Sequence, residues 1–190
     1  MKTVCALAAP LCWVRRAELN KNTHKRVWAW YALAGALIIL DQVVKGLVRA
    51  YMTPGETRPL IPHFIELLYV ENTGGAFSIF ENFTWVLALL SAVVTVALVL
   101  ALWKGALADS PWAKFCVTLV LAGAAGNLID RVSVGKVTDM FNFTFMRFGV
   151  FNVADICVVC GIVGYAVWLL FARKGGEEDD GHEADADSPN

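Results

Sequence analysis

Four aspartates carry the chemical signal in this chain. Asp41, Asp130 and Asp155 lie inside or at the ends of long apolar segments, and Asp139 lies in the short link between the last two. Ionisable groups at membrane depth are costly, so they face a protein interior or a cavity and mark function. Their neighbours sort them. Asp41 is followed four residues later by Lys45, the favourable order for a pair within one helix. Asp130 adjoins Arg131, although consecutive helical residues do not face each other. Asp139 and Asp155 have no such obvious partner, Lys136 being three residues before Asp139. Two unpaired carboxylates brought close together share a proton, so that one can act as a base toward water while the other donates to a carbonyl. That is aspartyl-protease chemistry. The histidines offer no rival: His24 and His182 are in terminal segments and His63 stands alone, giving neither a Ser–His–Asp arrangement nor a metal-ligand cluster. A carboxylate-only Mg²⁺ or Ca²⁺ site is an alternative that the neighbouring Lys and Arg disfavour. No metal or other cofactor is expected.

The segments that must bring these groups together are apolar and long. The composition is 57% apolar with a mean hydropathy of +0.56, and 17% of residues are charged, against about 25% in ordinary soluble domains. Residues 27–40, 84–103, 115–129 and 156–171 form four uncharged apolar runs. A spanning helix needs roughly 17–25 mainly apolar residues. The runs reach that length outright or with their flanks, and predict a four-helix membrane domain over 27–172. Ten Lys and Arg fall on the side of the two termini and five on the other, with Lys45 inside the first helix counted on neither. This places both termini in the cytoplasm. Asp41 then lies about 20 Å along the outward first helix at roughly 1.5 Å per residue. The third helix ends at Asp130 and the fourth begins at Asp155, so one outer site collects four carboxylates, nearby cations, Asn72, Asn127 and Asn152.

The links add detail. Between the first two helices, Pro54-Gly55 signals a turn and residues 64–70 read as a strand. The Gly74-Gly75 pair that follows fits either an ordinary hairpin loop or a close approach of backbone to a ligand. In the last link, residues 137–148 alternate with period two. That predicts a strand with an aromatic face, at home on a membrane surface, and carrying Asp139. Residues 1–26 read as a cytoplasmic extension: the apolar stretch 3–14 hints at a signal peptide, but Arg15 and Arg16 follow it without a clear cleavage site. Residues 173–190 read as an acidic, disordered cytoplasmic tail. Cys157 and Cys160 form a C-x-x-C within an apolar run and read as small apolar residues on one helix face.

At these residues the chain resembles the lipoprotein signal peptidase family (signal peptidase II). The matching pieces are Asp41-x-x-x-Lys45, Asn72-Thr73-Gly74-Gly75-Ala76-Phe77, Gly126-Asn127-x-x-Asp130-Arg131, Val137-Thr138-Asp139 and Phe151-Asn152-Val153-Ala154-Asp155. Gly75 stands where the family often has Ala. The resemblance implies a catalytic dyad of Asp139 and Asp155, with supporting or substrate-contacting roles for Asp41, Lys45, Asn72, Gly74, Asn127, Asp130, Arg131, Asn152 and Ala154. It implies an α-helical membrane protein, a four-transmembrane-helix bundle with a small extracytoplasmic β-cradle. It also implies a bacterial inner-membrane endopeptidase that cuts the signal peptide from a diacylglyceryl-modified prolipoprotein before the lipidated cysteine. Its partners would be those lipidated signal peptides and membrane lipid, with no nucleic acid, and the chain is expected to act as a monomer. The rival reading is a small ion-coupled transporter or channel subunit, in which intramembrane Asp, Lys and Arg are equally expected. Against it, the second helix has no internal charge and the two halves show no repeat.

The topology is directly testable. Single cysteines introduced at Gly55 and Gly149 should label from outside the cell and one at Gly105 only from inside. External labelling at Gly105 would reverse the orientation and scatter the expected site.

Overall fold

The computed structural model describes the backbone of residues 9–74, 84–105 and 110–179, and the side chains of 27–74, 84–105 and 110–171. Gly75-Ala76-Phe77 of the Asn-Thr-Gly-Gly motif, Cys5 and the last residues of the acidic tail lie outside the described residues, as do the side chains of Cys12 and His24. Four helices, α1 (Ala9–Tyr51), α2 (Thr84–Lys104), α3 (Pro111–Ser133) and α4 (Val153–Asp179), form the body of the molecule. Each contains a segment long and apolar enough to span a bilayer: Val27–Tyr51, Thr84–Lys104, Pro111–Ser133 and Val153–Phe171. The four apolar runs of the sequence are these four segments. No break separates residues 9–26 from the first span at residue 27, because α1 begins at Ala9. At the other end the backbone of α4 continues to Asp179, past residue 173.

Local chemistry sets the helix ends. Ser110 caps α3, its hydroxyl accepting from the Ala113 N–H at 3.4 Å, and Pro111 follows where its missing N–H costs nothing. Gly105, with φ +62°, takes the left-handed conformation just after α2. Pro54 prevents α1 from continuing, and Gly55, with φ +85°, makes the turn that follows.

Three strands, β1 (Thr57–Ile61), β2 (Ile65–Asn72) and β3 (Val137–Phe143), pair antiparallel in the order β1-β2-β3. The sheet sits at the end of the bundle where α1 and α3 finish and α4 starts. α2 starts there too, since the Thr84 hydroxyl donates to the Thr73 carbonyl at 2.7 Å. β2 answers to the strand expected at 64–70. β3 is shorter than the expected 137–148: the chain turns back after Phe143 so that Phe151 pairs with Phe141. β1 has no counterpart among the expected strands. Its Pro59 cannot donate to a ladder, which argues against a strand unless that strand lies at an edge, and among the described residues β1 pairs with β2 alone.

Packing divides into two cores. Ala34, Leu102, Val117, Leu121 and Ala122 join α1, α2 and α3. Val48 of α1 and Met52 just after it meet Tyr69 and Met140 and seat the sheet on the bundle. Large apolar side chains such as Leu89, Val93, Val96, Ile162 and Val163 are exposed, as expected where the surrounding solvent is lipid. With lipid as apolar as the helices, small residues that allow close backbone approach hold the bundle together. A Cβ on Gly123 would lie 2.3 Å from the Ala154 carbonyl oxygen, and one on Gly161 would lie 2.5 Å from that of Cys116. α3 and α4 therefore pack backbone to backbone.

That contact yields a stability test. Gly123→Ala must push α4 away from α3, and overpacking of this kind costs about 1–3 kcal/mol. Gly35→Ala, where an added Cβ would meet nothing within 4 Å, should leave the detergent-solubilised protein's unfolding midpoint unlowered, or raise it, since Ala favours a helix interior over Gly. Equal midpoints for the two variants would contradict the close packing.

Candidate active site

The expected residues converge at the junction of bundle and sheet. α1 supplies Asp41 and Lys45 one turn apart on one face, both buried, with Nζ 2.9 Å from the Asp41 carboxylate. This is the pair read from the spacing. Asp130 does not take Arg131 as its partner: Lys45 Nζ lies 3.2 Å from it and Arg49 Nη1 3.3 Å. The reason is geometric. Adjacent helical residues diverge, so Asp130 turns toward α1, while Arg131 donates to the Asn127 carbonyl at 3.3 Å and borders the cavity described below. Lys136, near Asp139 in sequence, instead holds Glu71 at 2.6 Å.

Asparagines link the remaining carboxylates. Asn72 Nδ2 donates to Asp139 at 2.9 Å, while its Oδ1 accepts from the Gly74 N–H at 2.9 Å, a local turn that fixes the side chain. Asn152 Nδ2 donates to the other oxygen of Asp139 at 2.6 Å. Asn127 Nδ2 donates to Asp155 at 2.8 Å, and its Oδ1 accepts from Lys45 at 2.8 Å and from Asn152 at 3.2 Å. Asn152 also caps α4 reciprocally: its Oδ1 accepts the Asp155 N–H at 3.0 Å and its own N–H donates to Asp155 at 3.1 Å. This is a capping box made from Asn and Asp. Ala154 contributes through its backbone, donating to Asp41 at 2.9 Å. Its small side chain keeps α4 close to Gly126.

Asp139 and Asp155 both border a cavity of about 490 Å³ with Asn72, Asn127 and Arg131. The rest of its lining is largely apolar, including Phe143, Phe148, Phe151, Ile156 and Val159. Ile156 and Val159 are 42% and 59% exposed, so the cavity opens along the flank of α4, where lipid would lie. Cys160 is exposed and borders the cavity, whereas Cys157 is buried. The arrangement can hold water and an extended polar chain against two carboxylates while an apolar group rests on α4. Burial pushes Asp139 up to about 6 against the pull of the Asn72 and Asn152 donors, and the neighbouring Asp155 charge pushes in the same direction.

Two contributors escape a reading by motif. Arg49, counted in the sequence only as a cation of the outer link, bonds Asp130 and also Thr138 Oγ1 at 3.0 Å. Gln42 ties α1 to the Gly126 carbonyl at 3.1 Å. The signal for Arg49 was available: Asp41, Lys45 and Arg49 recur every four residues and share one helix face. Among the described residues, no three His, Cys, Asp or Glu side chains are placed to hold a metal ion together.

Comparison with known proteins gives consistent matches. A profile of the signal peptidase (SPase) II family matches residues 33–171. A lipoprotein signal peptidase of Streptococcus pneumoniae is 42% identical over 140 residues, covering 74% of this chain and 91% of that protein. One from Enterococcus faecalis is 38% identical over 157 residues, covering 80% and 95%. A solved bacterial membrane enzyme, determined by the in meso method, superposes with a TM-score of 0.72 at 28% identity, covering 77% of this chain and 90% of its own.

The Asp139 carboxyl offers a direct measurement. Difference infrared spectroscopy should find it taking up a proton as pH falls through about 6. Asn72→Leu removes a donor that favours the charged form, so the midpoint should move to higher pH. A midpoint that stays put or moves down would mean that Asn72 does not hold this carboxylate.

Proposed function

The chain belongs to the signal peptidase II family and is a membrane protease, and on that premise we propose that it removes signal peptides from diacylglyceryl-modified prolipoproteins, cutting before the lipidated cysteine. The observation that carries this reading is the pair Asp139 and Asp155 on one cavity, joined through Asn152 and Asn127 and open toward lipid beside α4. A transporter has no support from the family matches.

Asp139 and Asp155 form the acid–base pair, and the reactive form carries one proton between them, on Asp139, whose hold on a proton is strengthened by burial. Ionised Asp155 takes a proton from water as the water oxygen attacks the scissile carbonyl carbon. Asp139 gives its proton to the carbonyl oxygen, producing a neutral tetrahedral diol. Collapse breaks the C–N bond: the leaving amine takes a proton from Asp155 and the diol returns one to Asp139. The cleaved chain leaves with a new carboxyl end, and the pair again holds a single proton. Arg131 borders the cavity, and its Nε is buried without a hydrogen-bond partner among the described residues. It is suited to donate to main-chain carbonyls of the substrate. The apolar flank of α4 and the Phe143, Phe148 and Phe151 rings suit the signal helix and acyl chains. Asp41, Lys45 and Asp130 support rather than react, being paired away from the cavity.

The enzyme works in the bacterial cytoplasmic membrane with both termini inside and the site near the outer face, which the asymmetry of Lys and Arg supports. Residues 27–172 make up the peptidase domain, with 1–26 an extension and 173–190 a tail.

Asparagine keeps the shape of aspartate but cannot exchange a proton at neutral pH. Asp139→Asn and Asp155→Asn should each lower cleavage of a lipidated lipobox peptide by at least the roughly 10²–10⁴-fold typical of general acid–base catalysis. The double variant should be little worse than either single one, because the two act as a unit. Retained cleavage by Asp139→Asn, with loss in Asp130→Asn and the fold intact, would reassign the pair to Asp130 and Asp155.

A further inference from the structure

Arg49 lies in the last turn of α1 and is not among the residues lining the cavity. Asp41, Lys45 and Arg49 occupy successive turns of one face, and Asp130 receives the last two. Formally, two cations face two carboxylates there. Arg49 makes one further bond: the same Nη1 that meets Asp130 at 3.3 Å donates to Thr138 Oγ1 at 3.0 Å. Thr138 is buried, and its backbone N–H donates to Asp130 at 3.1 Å. The start of β3 is thus held at Thr138 through both main chain and side chain.

The consequence follows from strand geometry. Successive side chains on a strand point to opposite faces. Thr138 and Met140 share the face toward α1, where Met140 packs on Val48 and Met52. Asp139, between them, points the other way, to Asn72, Asn152 and the cavity. Any rotation of β3 about its own axis swings Asp139 relative to Asp155. Met140 resists that rotation by apolar contact of its side chain and by its N–H, which donates to the Phe151 carbonyl at 3.0 Å, and Arg49 and Asp130 fix Thr138 by further directional bonds on the same face.

We propose that Arg49 is a positioning residue for the reaction, acting through Asp130 and Thr138 to set the direction of Asp139. The proposal rests on the assignment of Asp139 and Asp155 as the acid–base pair.

The test uses the full-length protein in detergent with a synthetic diacylglyceryl-modified lipobox peptide, comparing Arg49→Leu, Arg49→Lys, Thr138→Val and Thr138→Ser. Misplacing a reacting group by about 1 Å costs on the order of 10²-fold. Arg49→Leu should therefore lower kcat by about 10–100-fold with KM near the parent's. Arg49→Lys, which keeps the charge without the fork, should recover part of the loss. Thr138→Val should reproduce the loss in part, add little to Arg49→Leu, and be relieved in Thr138→Ser. The alkaline limb of kcat/KM supplies a readout that simple loss of folded protein does not move. Asp139 faces Asn72, Asn152, Asp155, Lys45 and Arg131, and a swung Asp139 loses its asparagine donors, so the limb should move to higher pH in Arg49→Leu. An Arg49→Leu protein with kcat within about twofold of the parent and an unmoved limb would overturn the proposal. So would a loss that only tracks the folded fraction. Asp139→Asn is measured alongside: if it retains cleavage, the pair assignment fails and the positioning role with it. If it is inactive while Arg49→Leu is unaffected, the positioning role alone is wrong.

Discussion

An ammonium group buried where water cannot reach it governs the rest of this structure. Lys45 Nζ has three N–H bonds to give and three acceptors: Asp41 at 2.9 Å, Asp130 at 3.2 Å and Asn127 at 2.8 Å. Breaking a buried ion pair by removing one partner costs about 3–5 kcal/mol, because the other charge is left uncompensated. The bundle must therefore bring these acceptors to α1 together. Each then leads to another element. Asp41 accepts the Ala154 N–H at the start of α4, Asp130 accepts the Thr138 N–H of β3, and Asn127 orients Asp155. One cation thus registers α1 against α3, α4 and the sheet.

The network around it is polar and largely enclosed, a combination that is stable only when its members are satisfied. Asn152 shows how tightly structure and chemistry are joined. It begins α4, reciprocates with Asp155, and donates to Asp139 and to Asn127. The helix start and the contact between the proposed catalytic carboxyls are made by the same side chain. Carboxylates on two separate elements can therefore keep a defined relation without a metal bridge being required by the geometry.

Much of this was legible from residue order. Four apolar runs give four spans, and the Asp and Asn positions at their ends predict where polar groups gather, because hydropathy and helix direction are local properties. β2 and β3 were visible through aromatic and branched residues at period two. β1 was hidden by Pro59, which is tolerated because, among the described residues, the strand lies at the edge of the sheet. The partner of Asp130 stayed open in the sequence for a different reason. Which cation reaches a carboxylate depends on the rotation of α3 against α1, and that is set by contacts such as Gly126 against Asp41, many residues apart in sequence. Arg49 was overlooked because a cation at a helix end has an ordinary explanation as an interfacial charge.

α2 stands apart from all of this. From Thr84 to Trp103 it has no charged residue, and its large side chains mostly face outward. It contributes nothing to the polar network; it returns the chain across the bilayer so that α3 can travel in the same direction as α1. Its requirements are length, hydropathy and a few contacts, among them Leu102 in the core and the Val99 carbonyl accepting from Tyr31 at 2.9 Å. Information is therefore spread unevenly along the chain. α3 is specified almost letter by letter at Gly123, Gly126, Asn127 and Asp130, whereas α2 is specified by class of residue. Exchanges among Leu, Val, Ile and Ala on its outer face are close to synonymous, and drift can accumulate there without reaching the chemistry.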